Sequence, residues 1–446
     1  MNIPKLAEYL TDIDGGYILE AAEKECKMTR KFSIKTVAAV AAACVCIISL
    51  VAAGWALFDS KDYLEDYDAD PSYMIQDKMI TSDGEGHYFG VIMTGRGFRL
   101  MGSDGSDGEN AYNICDVPGC DHTDGSVCPA LNMPEITGLS VYDGRLYWTA
   151  RQKGDGAVNI MSAAPDGSDI QTVRSVPDEV YTDTLYNKYI RTHRGYMYFI
   201  GEREPEMIFD PETFTSYQKD PDEPYVLNVW AEELKDNGES RNIFSFEYEK
   251  DRYYGFTSQF YANNLYIMLR STKSDGSFRR FEVYRIDLKT GSGERIYITD
   301  EYDVQGWWLD GSENLCYTDT DPETGTVSLM RLDLNKGKPK KLCELPDATV
   351  TRVINGKAVG IGDGKVYVTD FGGNTVELDI TALTEQVKEA YGFAGISLCG
   401  VDGENVILQM CDDECFALVP LDGGEPKLII ASCFSDPDFE RIWGAE

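Results

Sequence analysis

The chain has 446 residues, of which 76 are acidic and 41 are Lys or Arg, for a formal net charge of −35 at pH 7. Residues 1–35 hold six acidic and six basic side chains, so the whole excess, 70 acidic against 35 basic, belongs to residues 36–446. A body so charged is repelled by nucleic acid and by anionic lipid, which excludes both as partners of its bulk.

The amino-terminal head carries two segments with helical spacing, Ile3–Leu10 and Tyr17–Ala22, separated by Asp14-Gly15-Gly16. Each is too short to be stable alone. The pattern DIDGGYILEAA, ahead of a basic run and an apolar span, resembles the heads of many single-span membrane proteins of Gram-positive bacteria. Some of those regulate sigma factors, so the resemblance implies a docking peptide for a cytoplasmic regulatory protein. The alternative is a stub that only sets topology.

Val37–Phe58 is a run of 22 residues without a charge. That is long enough to cross the hydrocarbon core as one helix. Lys24, Lys27, Arg30, Lys31 and Lys35 precede it; Asp59, Asp62, Glu65 and Asp66 come after it, with Lys61 the one nearby base. Positive charge stays inside, so the expectation is a cell-membrane protein with one span, its amino terminus cytoplasmic and its body outside. A cleaved signal peptide is the rival, with Gly54-Trp55-Ala56 as its cleavage site. The length of the run and of the chain before it favour an uncleaved anchor. The expected divisions are a head at 1–35, a span at 36–58, a linker at 59–76, a repeat domain at 77–433 and a tail at 434–446.

The body of about 390 residues exceeds the size of one compact core unless it is built of repeats. One phrase recurs. Trp307-Trp308-Leu309, the turn Asp310-Gly311, Leu315–Thr318, the turn Asp321–Gly325, Val327–Asp333, the turn Asn335–Gly337 and Lys340–Cys343 read as four short strands in a meander. Its first turn recurs at Asp83-Gly84, Asp143-Gly144, Arg194-Gly195, Asn263-Asn264, Asn355-Gly356 and Asp402-Gly403. Seven copies of about fifty residues predict an all-β fold, a seven-bladed β-propeller without a strand exchanged between its ends. Six or eight blades are the alternatives, since Lys365–Asp379 is the thinnest copy; a β-helix has much shorter repeats.

The phrase DGRLYW … IMSAAPDGSDIQTV resembles the TolB-type and related extracellular propellers of bacteria. Cys115–Ala130, CDVPGCDHTDGSVCPA, is similar to a segment of propeller proteins anchored in Gram-positive membranes. The resemblance implies fold and anchoring. It transfers no activity, because propellers host unrelated functions.

The turns between strands 1 and 2, and 3 and 4, are short. The long pieces fall between strands 2 and 3 or between blades: Cys115–Pro134, Glu202–Pro224, Glu249–Phe256, Ser271–Ser277, Asp319–Gly325 and Asp379–Phe393. Both classes emerge on one face, which is therefore the candidate binding face. Its aromatic residues Phe209, Phe214, Tyr217, Tyr253 and Tyr254 are the candidate ligand-binding residues, either stacking on a ligand or pinning their own loops. Leu383–Tyr391 has helical spacing before the last blade.

Catalytic signatures are missing: no nucleophile elbow, HExxH, Walker loop or CxxC is present. Gly360–Gly364 reads as a hairpin turn, and no cofactor motif stands out. Nine of twelve cysteines lie beyond the span, and an exterior location permits disulfides. Cys115, Cys120, His122 and Cys128 form one dense group, which three readings fit: a disulfide among the thiols, tetrahedral zinc, or neither. A disulfide between Cys411 and Cys415 would clip a hairpin tip if their Cα atoms come within ~7 Å. Cys316 and Cys343, on strands two apart, cannot pair. Asp104–Glu109 and Asp319–Gly325 are acidic turns with calcium as the alternative. The leading expectation is a non-catalytic domain that binds or senses an envelope or extracellular ligand; an envelope hydrolase of glycans or peptides and a transmembrane regulator are the rivals.

Overall fold

Two-residue turns with both central residues at positive φ match the twist of antiparallel strands and select Asn-Gly or Asp-Gly. Asp143-Gly144 (47° and 68°), Asn355-Gly356 (45° and 73°) and Arg194-Gly195 (51° and 76°) all take this form. Each closes the first hairpin of a four-stranded antiparallel sheet. A computed structural model of the chain describes residues 79–431, except 95–96, 107–110, 119, 121–135, 152–156, 212–214, 277–278, 301–303, 311–312, 322, 349, 393–394 and 412–414. The head, span, linker and tail expected from the sequence lie outside the described residues. Among the described residues no helix is long and apolar enough to cross a membrane.

Seven such sheets succeed one another in chain order. Blade 1 is β1 (Ile80–Ser82), β2 (Tyr88–Thr94), β3 (Gly97–Ser103) and β4 (Tyr112–Asn113); blade 2 is β5 (Ile136–Tyr142), β6 (Arg145–Arg151), β7 (Val158–Ala163) and β8 (Gln171–Ser175). Helix α1 (Asp178–Asp183) leads to blade 3, built of β9 (Tyr186–His193), β10 (Tyr196–Arg203), β13 (Val226–Glu233) and β14 (Ser240–Glu247). Between β10 and β13 lies a separate hairpin, β11 (Met207–Asp210) and β12 (Thr215–Gln218). Blade 4 is β15 (Arg252–Tyr261), β16 (Asn264–Lys273), β17 (Arg279–Asp287) and β18 (Gly293–Thr299); blade 5 is β19 (Gln305–Leu309), β20 (Asn314–Thr320), β21 (Val327–Asp333) and β22 (Lys338–Glu344). Blade 6 is β23 (Val350–Ile354), β24 (Lys357–Gly362), β25 (Lys365–Asp370) and β26 (Thr375–Asp379); after helix α2 (Thr381–Tyr391), blade 7 is β27 (Ile396–Val401), β28 (Asn405–Met410), β29 (Cys415–Pro420) and β30 (Lys427–Ala431). The fold is an all-β, seven-bladed propeller.

Side chains alternate across a strand, so a blade with apolar residues on both faces joins two neighbours. On β16, Leu265, Ile267 and Leu269 pack towards blade 3, while Tyr266 and Met268 pack towards blade 5. The same division holds around the ring, where seven apolar clusters of described residues lie at the seven blade interfaces. The last joins blade 1, through Ile80, Tyr88, Ile92 and Met101, to Ile407, Phe416, Ile429 and Ile430 of blade 7. Every blade is made of its own consecutive stretch of chain, so among the described residues the ring closes by packing with no exchanged strand.

Two readings of the sequence need correction. Glu202–Pro224 is not irregular throughout, because its Met207–Asp210 and Thr215–Gln218 pair with each other residue for residue. Glu249–Phe256 is not a loop beyond Asp251: β15 starts at Arg252 and pairs along its full ten residues with β16. The helix expected over Leu383–Tyr391 is present: α2 begins two residues earlier, at Thr381, where the Asp379 carboxylate accepts from the Thr381 N–H at 2.8 Å. Gly392, at φ +79°, ends that helix with its N–H on Lys388 O, as a left-handed cap.

Candidate functional site

β15 and β16, ten residues each, outrun the first and second strands of the other blades, which have three to eight. Their extra length lies at the end of the blade that carries the turn between strands 2 and 3. There a cleft of about 520 Å³ opens, lined by blade 4 and by residues of β19 and β23. It lies on the face that the loop lengths single out.

Pairing places the lining residues. Gly255 stands opposite Arg270, which stands opposite Phe281; Tyr253 stands opposite Thr272, which stands opposite Arg279. Residues two apart share a face, so these six present one surface, on the side of blade 4 that meets blade 5. Gly255 is exposed, and a Cβ added there would meet nothing within 4 Å. Its lack of a side chain leaves the floor of the cleft open. A glycine inside a strand often marks such a close approach.

Blade 5 supplies Trp307 through a bulge. Gln305 pairs with Thr318 and Trp308 with Cys316, leaving Gly306 and Trp307 opposite Tyr317 alone. Gly306 has φ +49°, and a Cβ on it would come within 2.9 Å of Thr351 O and 3.2 Å of Arg352 Cα. A bulge re-aims the side chain beside it; here it turns Trp307 to the cleft and lets β23 come close enough for Arg352 to join. A similar bulge at Gly138 (φ +66°) brings β5 against Ile190 of β9, so the device also serves blade packing.

Four arginines line this cleft and, among its described lining residues, no carboxylate, imidazole or thiol does. In a chain of net charge −35 that is a local reversal of sign. Arg280 is held by Glu249 at 3.1 Å and Asp300 at 3.3 Å. Arg352 is exposed and makes no ion pair with a described residue. Guanidinium groups bind carboxylate and phosphate through paired donors. Tyr253, 71% exposed, and Trp307 add aromatic faces to the same cleft.

The other aromatic candidates stand differently. Tyr254 also borders the cleft, but its ring turns to the opposite side of β15, where it stacks on Tyr248 at 4.1 Å and 15°. The Tyr248 hydroxyl in turn donates to Glu202 at 2.6 Å, so Tyr254 pins blade 4 to blade 3. Phe209 and Tyr217 are 57% and 54% exposed on the β11–β12 hairpin. Tyr217 stands opposite Ile208, however, which puts it on the face that Phe209 does not share. Phe214 lies outside the described residues.

Cys115 and Cys120 are half-buried in the link after β4, and no disulfide joins them; His122 and Cys128 lie outside the described residues. Among the described residues no three His, Cys, Asp or Glu side chains gather to hold a metal. Cys411 and Cys415 are likewise unbridged to each other. Both are buried in the cluster between blades 6 and 7, and the Cys415 thiol faces Met410 O at 3.4 Å. Cys411 takes φ +54° as it leaves β28 and serves there as a small apolar residue. Cys316 and Cys343 sit on β20 and β22, two strands apart in blade 5, and burial pushes the Cys316 thiol up to about 11. In the acidic turns, Asp104 accepts from the Ser106 N–H and Asp321 from those of Glu323 and Thr324, so these carboxylates cap their own turns. His87 pairs with Asp83 at 2.6 Å, and His193 is buried with Nε2 2.8 Å from Ala262 O; neither reaches the cleft.

Sequence reasoning missed Arg270, Arg279, Arg352, Trp307 and Gly255. The one local signal is Arg270, an exposed charge that directly follows the apolar run Leu265–Leu269 inside one strand.

No family model matches the chain, and no curated protein matches it. Solved structures show a likeness to the chain. A prolyl endopeptidase is 10% identical with a TM-score of 0.46, covering 81% of this chain and 51% of that one. An oligogalacturonate lyase in complex with manganese is 14% identical with a TM-score of 0.42, covering 81% and 90%. The β-propeller domain of the trilobed protease from Pyrococcus furiosus, described as having an open velcro topology, is 10% identical with a TM-score of 0.43, covering 80% and 95%. The chain spans about half the length of the peptidase it matches first.

Proposed function

We propose that this chain is a membrane-tethered extracytoplasmic binding or sensing protein, whose propeller takes a ligand of the cell envelope at the cleft between blades 4 and 5. One observation carries the reading: the cleft joins four arginines to aromatic side chains and, among its described lining residues, has no carboxylate, imidazole or thiol. Such a lining is suited to holding an anionic ligand. The charge flanks of Val37–Phe58 support the tether and its orientation.

The test uses the full-length chain in detergent micelles, immobilised and challenged with a solubilised envelope fraction. Retention of envelope material without new reducing ends or new amino termini is the expected result. Turnover of that material would replace the binding reading by a hydrolytic one. For the tether, a membrane-impermeant thiol reagent on intact cells should modify Asp66→Cys and spare Lys5→Cys, each read from the mass of its own peptide. The opposite pattern would reverse the orientation.

A further inference from the structure

We propose that the ligand of this cleft is an acidic glycan, its anionic groups held by Arg270, Arg279 and Arg352 and a sugar ring laid on Trp307 or Tyr253. The inference rests on the binding reading above and specifies its ligand.

Charge is the first argument. The body repels anions, and at physiological salt fields fade over ~8 Å. An anion is therefore stabilised only in contact with the arginines. Residues in blade 4 and in β23 of blade 6 contribute them, with Trp307 of blade 5 between. A ligand that meets Arg270 and Arg352 together crosses from one blade to another, so it carries more than one charge along its length.

Shape is the second. The open floor at Gly255 admits a ring-sized group between Tyr253 and Arg270. The exposed ring of Tyr253 and the half-buried indole of Trp307, beside guanidinium donors, suit pyranose rings that bear carboxylate or phosphate. An extended acidic peptide would instead look for a sheet edge to pair with. β15 is the terminal strand of its sheet and no described strand pairs with its other edge, so polyglutamate is the probe that separates a peptide from a glycan.

The test is calorimetric titration of the full-length protein in micelles with four defined probes: alginate oligomers, a phosphorylated mannan oligomer, a neutral β-glucan oligomer and polyglutamate. Binding of either acidic glycan, with no heat from the β-glucan, is expected, and the stronger of the two names carboxylate or phosphate as the anionic group. Arg352→Ala should weaken it about tenfold, the loss of one charge-assisted contact. Gly255→Phe, which fills the floor without a strained φ, should weaken it at least as much. Circular dichroism and thermal melting confirm that both variants keep the fold. Equal binding of polyglutamate or of the neutral glucan would overturn the proposal, as would unchanged affinity in both variants. Envelope material retained on the wild-type chain while neither acidic probe binds would overturn the ligand class and leave the binding function standing.

Discussion

The hydroxyl of Tyr88 donates to Asp402 Oδ2 across 2.5 Å, joining the first blade to the last over 314 residues of chain. Asn405 Nδ2 donates to the same hydroxyl at 3.2 Å, and Asp402 Oδ1 accepts from the Glu404 N–H at 2.8 Å and the Asn405 N–H at 2.5 Å. The turn that begins β28 is thus a receptor for the tyrosine that begins β2. Among the described residues no strand is exchanged, and this bond and the apolar cluster around it join the two ends of the ring. Tyr88→Phe keeps the ring packed in that cluster and removes only the hydroxyl. Hydrogen bonds to charged groups contribute ~1.5–3 kcal/mol, and the denaturant midpoint should fall accordingly. An unchanged midpoint would assign closure to the apolar cluster alone.

Tyr88 is one of several tyrosines held protonated by their surroundings. Burial raises its pKa first, and the Asp402 carboxylate raises it further. Burial likewise raises Tyr248, with Glu202 beside it, and pushes Tyr284 up to about 12, with Glu282 adding to the effect. A group whose pKa is raised on folding contributes stability that is whole below its unfolded pKa, ~10 for tyrosine, and is lost as pH climbs towards the folded value. Stability should therefore hold to about pH 10 and then fall by up to ~1.4 kcal/mol per pH unit for each such tyrosine. Absorbance titration at alkaline pH should show part of the 27 tyrosines ionising in the folded protein and the rest together with unfolding. Smooth ionisation of all 27 before any loss of structure would contradict the assignment.

Gly306 and Gly255 both border the cleft, and their substitution should have opposite consequences. An alanine at Gly306 would hold an L-residue at φ +49° with its Cβ 2.9 Å from Thr351 O. The left-handed conformation alone costs ~1–2 kcal/mol, and the backbone contact adds to it. Gly306→Ala should lower stability by roughly 2–4 kcal/mol and displace Trp307 and Arg352 together. At Gly255 nothing lies within 4 Å, and its φ is ordinary. Gly255→Ala should leave stability unchanged or raise it by up to ~1 kcal/mol, because it restricts the unfolded chain. Urea denaturation of the two variants reads both effects, and equal losses would mean that the two glycines do not differ as described.

What the sequence discloses here is what is local. Asp143-Gly144 and Asn355-Gly356 announce their hairpins because positive φ at two successive residues admits few side chains. Strands such as Asn264–Lys273 disclose themselves by composition. The cleft is different: Arg270, Trp307 and Arg352 belong to three blades, and only ring packing and the bulge at Gly306 bring them together. No window of sequence contains that relation. The same holds for Tyr254, whose neighbour Tyr253 looks equivalent in sequence but points to the other side of β15. In the long insert, β11 and β12 are four residues each and set among acids and proline, too short for a period of two to show.

The link after β4 gives the last prediction. The Cys120 N–H donates to Val117 O at 3.1 Å, forming a turn with Pro118 as its second residue. Beyond it, the backbone of Cys115 is met closely by Gly167, φ +82°, whose missing Cβ would lie 3.0 Å from Cys115 N. Cys115 is therefore fixed against blade 2, while the chain from Cys120 to β5 has Gly125, Pro129 and Pro134 and no apolar run. Ordering such a stretch costs ~1–2 kcal/mol per residue. A covalent clip offsets part of that by narrowing the unfolded ensemble, typically by ~2–4 kcal/mol. Since Cys115 and Cys120 are not bridged to each other, the expected clip runs from Cys128 to one of them. Zinc held by the three thiols and His122 would do the same work. Protein from an oxidising compartment, alkylated, digested and mapped by mass, should show Cys128 joined to Cys115 or Cys120 with no bound metal. Near-stoichiometric zinc released by Cys120→Ser would assign the metal instead. All three thiols alkylated and no zinc would show that the turn at Val117–Cys120 and the packing of Cys115 on Gly167 hold the link unaided.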